Sequence, residues 1–474
     1  MAPVLSRLSE ELGFKALARA HSPRDVALLI TSRFVRLIGF GAIAPLLVLY
    51  LNLCGFSARS AGLFLTLTLL GDVVLSLGVS WVADGVGRRR VLALGSALMA
   101  GSGFAFYLSR SYTVLLLAAT FGVISPSGNE VGPFSSVEIS TLSQLVQPED
   151  RVFVLMNYQV LGFVGLALGS VASGSLVTAL ERDNSTHESY RFVFACYGAI
   201  ALIKVILSLA MTPFAELDHP PFPVRGGAYE HDESDDETLT GTPTEQSPLL
   251  AVPGRPLVGR TSSTTPHVVD PSTKLDMPHS STSASSLPLV RLLLVVALFS
   301  VDSFASSLTP ASYVSLYFKS IYHASISTIS TVLAGSALGA VFTSLLAGAL
   351  SKRIGLVLTM VSAHVPAQVL TGAMAFAPTL PSVIALYVAR TCISSMDSSI
   401  RGALLSAMVA KQSRTRLLGV VDVCRTLAAA PGPFVTGRLI SIGKFKWVFV
   451  ISGAIKIVYD LALLLSLRRA KLQH

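Results

Sequence analysis

Apolar runs long enough to cross the hydrocarbon of a bilayer, about 20 residues each, recur along nearly the whole chain. Six precede the middle, at roughly 26 to 52, 60 to 83, 91 to 109, 113 to 142, 153 to 180 and 191 to 212. Six more follow, at roughly 289 to 318, 325 to 350, 356 to 376, 380 to 410, 417 to 440 and 447 to 467. Lipid leaves backbone polar groups no solvent partner, so such runs fold as helices. An all-α polytopic membrane protein of twelve transmembrane helices, spans 1 to 12, is therefore expected. At 51% hydrophobic and 13% charged residues, with a mean hydropathy of +0.64, a soluble domain of this size is excluded.

Charge gives the orientation. Arg88, Arg89 and Arg90 fall between spans 2 and 3, and arginine is retained on the cytoplasmic side during insertion. With the N-terminus inside, Arg151, Lys352, Arg353, Lys411, Arg414, Arg416, Arg468, Arg469 and Lys471 also fall in the cytoplasm. The opposite loops hold isolated cations such as Arg59, Arg110 and Lys319. The net charge of +9 thus belongs to topology, and no nucleic-acid partner is expected. The first 25 residues are charged and lack the apolar core of a cleavable signal. Both termini are expected in the cytoplasm. Cys54, Cys196, Cys392 and Cys424 lie far apart, with neither CxxC nor cysteine–histidine spacing, so neither a metal nor another cofactor is expected.

Five regions follow: a cytoplasmic segment 1–25, a six-helix bundle 26–212, a linker 213–288, a second bundle 289–467 and a tail 468–474. The linker is rich in Ser, Thr and Pro, carries the acidic run Asp232 to Glu237, and reads as disordered and cytoplasmic. Within it Glu245-Gln-Ser-Pro-Leu249-Leu250 has the form of an acidic dileucine signal for sorting adaptors. Such a signal would route the protein to a vacuolar or lysosomal membrane; without it the plasma membrane is expected. Asn184-Ser-Thr186 is an N-glycosylation acceptor pattern on the side away from the cytoplasm; an unmodified polar loop is the alternative.

The two halves repeat. Arg151 to Gly174 spans 23 positions, as does Arg414 to Gly437, and in that register Gly169 matches Gly432. Ser80, Asp84 and Gly87 correspond likewise to Gly348, Lys352 and Gly355. A parallel duplication of six spans is the architecture of two transporter halves around a midplane cavity.

Ser80-Trp-Val-Ala-Asp84-Gly-Val-Gly87-Arg88-Arg89-Arg90 resembles the signature loop of the major facilitator superfamily, Gly-xxx-Asp-xx-Gly-Arg-Lys/Arg. Gly432-Pro433 to Gly437 resembles the glycine-proline motif of its antiporters. Ser80 departs from the usual glycine, and Gly169-Ser170 lacks the proline that antiporters carry in that half. The resemblance covers roughly 26 to 467 and implies two pseudo-symmetric six-helix bundles, with a fungal or other eukaryotic multidrug or metabolite transporter as the nearest type. It also implies a cavity lined by spans 1, 4, 7 and 10, which singles out Arg36, Glu130, Asp302 and Asp397.

Charges inside spans cost roughly 2.5 to 3.5 kcal/mol at the bilayer centre, so they face a cavity or one another. Span 4 places Ser125-Pro-Ser-Gly-Asn-Glu130-Val-Gly-Pro-Phe134 mid-membrane, where proline and glycine free carbonyls that need other partners. In span 10 Asp397 and Arg401 lie one turn apart. Glu130 and Asp397 are expected to line the cavity, one of them exchanging the coupling proton, since burial favours the protonated carboxyl. The alternative is a permanent ion pair, Asp397 with Arg401 or Glu130 with Arg36. Asp72 and Asp302 are further candidates. Arg33, Arg390 and Lys204 are expected to snorkel, Lys456 with Asp460 to form a local pair, and His364 to be a hydrogen-bonded packing residue, with a titrating site as the alternative.

No Walker loop, zinc spacing or nucleophile elbow gives catalysis a basis. The expected function is a monomeric secondary transporter of a small organic molecule, driven by protons through alternating access. A uniporter and a non-transporting receptor or scaffold are the alternatives. Asp84, Gly87, Arg88 and Arg89 are expected to latch the cytoplasmic side, Asp84 at the start of span 11 and Arg88 on Glu138, Glu149 or Asp150. A plain retention signal made by the three arginines is the alternative.

Overall fold

The computed structural model describes residues 19–122, 124, 133–147, 150–216, 289–407 and 414–471. Within these, the side chains of 80–84, 133–135, 152, 289–292, 344, 345, 347–349, 352, 356, 357, 397–407, 414–419 and 466–471 are not described. The linker residues 217–288 lie outside the described residues, and Glu245, Leu249 and Leu250 with them.

Span 1 is built from α1 (Pro23–Ile43) and α2 (Leu47–Leu53), span 2 from α3 (Ala58–Val86) and span 3 from α4 (Arg88–Leu108). Span 4 comprises α5 (Tyr112–Phe121) and α6 (Pro133–Leu145); spans 5 and 6 are α7 (Arg151–Leu180) and α8 (Thr186–Leu209). The second half repeats this order. Span 7 is α9 (Leu289–Ser307) with α10 (Ala311–Tyr322), span 8 is α11 (Ile326–Ile354), span 9 is α12 (Leu356–Ala373) and span 10 is α13 (Leu380–Ala407). Span 11 is α14 (Arg414–Ala429) with α15 (Gly432–Ser441), and span 12 is α16 (Phe445–Lys471). Among the described residues no strand occurs.

Local chemistry sets the helix ends. Ser22 accepts from the Asp25 amide and Pro23 opens α1, while Ser185 and Glu188 form a capping box on α8. Span 1 breaks before Pro45, which has no N–H for the Gly41 carbonyl. Ser170 of α7 donates its hydroxyl to that carbonyl at 3.0 Å, so the freed acceptor is satisfied from a neighbouring helix. Span 7 breaks at Pro310, and Thr436 of α15 donates to the Leu308 carbonyl at 2.7 Å. Gly87 and Gly355 join spans 2–3 and 8–9 at φ +102° and +84°, a region that favours glycine.

The sequence repeat is realised in packing. Gly169 lies against Ile38 of α1, and its partner in the repeat, Gly432, lies against Ser307 at the end of α9. Gly174 meets Ser327 and Ser330 of α11, whereas Gly437 meets Ala58 and Gly62 of α3. Matched glycines thus hold span 5 to spans 1 and 8, and span 11 to spans 7 and 2. Each half also carries the same aromatic lock. Tyr50 donates to the Phe106 carbonyl at 2.8 Å with its ring 4.9 Å from Phe194; Tyr317 donates to the Met374 carbonyl at 3.2 Å with its ring 4.6 Å from Phe449.

The halves touch mainly through α3 on α15 and α7 on α11, with smaller contacts of α3 on α14 and of α2 on α10. Phe434 donates its amide to Thr66 at 3.2 Å, and Ala167 packs with Ala334 and Ala337. The Thr66 contact lies on the Gly55 side of α3, and the Ala167 contact lies midway along α7. Small residues allow this approach, because a Cβ on Gly62 would strike the Pro433 carbonyl.

Candidate functional site

Four helices of the first half meet at one carboxylate: α6 carries it, α1 and α8 bring cations and α7 a tyrosine hydroxyl. Arg36 of α1 donates to Glu138 of α6 at 2.6 Å, and Tyr158 of α7 donates to the same oxygen at 2.6 Å. Lys204 of α8 reaches the other oxygen at 3.3 Å. Arg33 lies over the Tyr158 ring, 4.1 Å from its centroid, and donates to Gln159 at 2.5 Å. Glu138 is 0% exposed, Lys204 2%, and Arg33 and Arg36 5% each. Burial at this level is tolerated only because each charge has an opposite charge or a polar partner at hand. Arg33 and Lys204, expected to snorkel, are instead held inside.

The second half has its own polar centre. His364 of α12 places Nδ1 2.8 Å from Asp460 of α16, while its Nε2 lies 3.8 Å from Asp302 of α9. Lys456 of α16 lies 3.6 Å from Asp302. The histidine is a buried, hydrogen-bonded residue that bridges helices. Lys456 and Asp460, expected as a local pair, each have a partner on another helix. On α14, Arg425 donates to Ser303 at 3.0 Å and to Asp422 at 3.3 Å.

Asp72 of α3 belongs to neither centre. It is 6% exposed, and its occluded Oδ1 has no hydrogen-bond partner.

The residues of the expected gate lie at the end of α3 and the start of α4. Asp84 is in the last turn of α3 and its side chain lies outside those described. Arg88 donates its guanidinium to Gln144 at 2.6 Å; Glu138, expected as its partner, is in the buried centre instead. Asp150 lies 4.0 Å from Arg19, and Glu149 is outside the described residues. Glu216 accepts from the Arg88 amide at 2.6 Å and the Arg89 amide at 3.4 Å, supplying the acceptor that the N-terminus of α4 lacks. Arg89 also donates to the Leu209 carbonyl at 3.0 Å, and Asp25 accepts from the Thr212 amide at 2.8 Å. The segment leaving span 6 is thereby tied to the starts of spans 1 and 3.

Of the remaining candidates, Glu130 lies outside the described residues, and Asp397 and Arg401 are on α13 with side chains not described. Asn184 is exposed in the turn between α7 and α8, where it donates to the Leu180 carbonyl at 3.2 Å. Sequence reasoning missed Tyr158, Gln159, Gln144 and Glu216. No local spacing marks them, because each acts on a helix far away in the chain.

The Major Facilitator Superfamily model matches residues 29–301 and 292–473. An uncharacterised membrane protein of Saccharomyces cerevisiae is 30% identical over 445 residues, 93% of each chain. Among solved structures, a mutant of the nucleoside transporter NupG aligns with TM-score 0.64 at 14% identity, over 93% of this chain and 99% of that one. A bacterial homologue of the human lysosomal transporter Spinster, inward-facing and unoccupied, aligns with TM-score 0.64 at 15% identity, over 95% and 98%.

Proposed function

Because the chain belongs to the Major Facilitator Superfamily, we propose that it is a secondary active transporter that moves a small organic molecule by rocking its two halves, driven by a proton gradient. The observation that carries this reading is the paired contact between halves. Gly62 against Pro433 and Gly437, and Gly174 against Ser327 and Ser330, form two contacts of small residues near one membrane face. Small residues let backbones meet and part without prying side chains out of a core. The conformation proposed here is closed at the Gly55 side, which in the orientation expected from the arginines faces away from the cytoplasm.

Proton drive is supported by the acids retained within the membrane, which are costly there unless they serve a function. Proteoliposomes loaded with a metabolite extract, with a pH gradient imposed in either direction, test it directly. Accumulation that follows the gradient is expected; flux indifferent to it would make the protein a uniporter. Comparing metabolites of cells lacking and overproducing the protein identifies the substrate. For location, the dileucine at Leu249 and Leu250 points to a vacuolar or lysosomal membrane, and replacing both by alanine is expected to move a tagged protein to the cell surface.

A further inference from the structure

We propose that Asp72 is a proton-binding site whose occupancy is set by the closure of the two halves; its role in coupling rests on the transport reading above. Every other acid described inside the spans has a cation or polar partner: Asp25 has Thr212, Glu138 has Arg36 and Lys204, Asp302 has Lys456, Asp460 has His364, and Asp422 has Arg425. Asp72, alone among these described acids, has neither an ion pair nor a hydrogen bond to its carboxyl, and it is only 6% exposed. An ionised carboxylate in that position would carry an uncompensated charge at a cost far beyond that of an ordinary buried polar group. The neutral acid carries none.

The helices around Asp72 direct their described charges elsewhere. α3 packs against α2, α4, α5, α6, α14 and α15. On α4, Arg88 is taken by Gln144, Arg89 by the Leu209 carbonyl and Arg90 by the Val86 carbonyl at 3.5 Å. Tyr112 of α5 donates to the Ser60 carbonyl at 3.1 Å, and Glu138 of α6 is held in the buried centre. On α14, Asp422 and Arg425 pair with each other, Cys424 is partly buried, and the side chains of Arg414 and Arg416 are not described. Arg438 of α15 is exposed, α2 carries no charged residue, and on α3 itself Arg59 lies over Phe434, 6.0 Å from the ring centroid. Asp84 and Glu130 lie outside the described side chains.

Position links the acid to the conformational change. The preceding residue, Gly71, abuts Thr120, one residue before α5 ends, so Asp72 lies at the depth where regular helix in span 4 stops. The same helix carries Gly62, ten positions earlier and about 15 Å along the axis, into its contact with Pro433 and Gly437. Parting those residues moves α3 as a unit. Admitting water or a cation to Asp72 then removes the reason for it to keep its proton, so closure and protonation favour each other.

The test uses dicyclohexylcarbodiimide, an apolar reagent that modifies protonated carboxyl groups, on the purified full-length protein in lipid vesicles. Peptide mapping by mass spectrometry is expected to find the adduct on Asp72 at neutral pH, diminishing as the pH is raised. Asp72→Asn loses it and Asp72→Glu restores it. Glu138, locked between two cations, stays unmodified. Absence of the adduct from Asp72 across the pH range overturns the proposal, and so does an Asp72 adduct that is insensitive to pH. The wild-type result decides the matter even if Asp72→Asn folds poorly. A pH-sensitive adduct on Asp72 together with flux indifferent to a pH gradient upholds the proton site and overturns proton-driven transport.

Discussion

Arg36 on α1 donates to Glu138 on α6 at 2.6 Å although 102 positions separate them in the chain. With Lys204 on the same carboxylate, the pair ties spans 1, 4 and 6 into one body. Removing one member of such a cluster leaves the others charged and buried. Glu138→Gln is therefore expected to destabilise the protein by about 3 to 5 kcal/mol, read as a drop in thermal stability of the detergent-purified protein. A near-normal melting point with transport lost would instead assign Glu138 to the transport cycle.

The Glu216 contact predicts a local effect. Its carboxylate caps the amides of Arg88 and Arg89, so Glu216→Ala should loosen the first turn of α4 at a cost of about 1 kcal/mol. Hydrogen exchange at residues 88–90 is expected to accelerate while the rest of α4 keeps its protection. Unchanged exchange there would show that the capping contact contributes nothing.

Rocking of the halves requires Gly62 and Gly437 to separate. Cysteines placed at Thr66 and Phe434, which meet at the same contact with the Phe434 amide 3.2 Å from Thr66, with Cys54, Cys196, Cys392 and Cys424 replaced by alanine, are expected to cross-link under mild oxidation. Flux should stop on cross-linking and return on reduction. Full flux in the cross-linked protein would exclude parting at this contact.

In the second half, His364 and Asp460 join α12 to α16 at 2.8 Å. A double-mutant cycle of His364→Ala and Asp460→Asn should show a coupling of about 1 to 3 kcal/mol. Additive effects on unfolding would mean that the two side chains stabilise the helices independently.

Much of this architecture is legible in the chain. Length and hydropathy place the spans, with ends displaced by a few residues, as at span 6, where Thr186–Leu209 replaces the expected 191 to 212. The repeat register extends to single glycines: Gly169 and Gly432 pack on the equivalent helix of their own halves, and Gly87 and Gly355 make equivalent turns. Glycine is readable because its role is set by its own backbone and by the absence of a side chain. The charges are harder. Lys204 and Arg33 are buried with Arg36 rather than drawn to the interface, because a one-dimensional run of apolar residues does not say which face of its helix meets a neighbour.

The sequence by itself determined that the chain crosses the bilayer repeatedly, that its two halves are copies, and where glycine and proline bend or join the helices. These follow from properties carried by a residue and its near neighbours: transfer to hydrocarbon, the missing N–H of proline, the freedom of glycine. Only the tertiary structure decided which charges neutralise one another. It gave Glu138 to Arg36 and Lys204, His364 to Asp460, and the α4 amides to Glu216, and it left Asp72 without a partner among the described residues. The reason is physical: the energy of a buried charge depends on distances of about 3 to 4 Å to groups on other helices, and helix packing sets those distances.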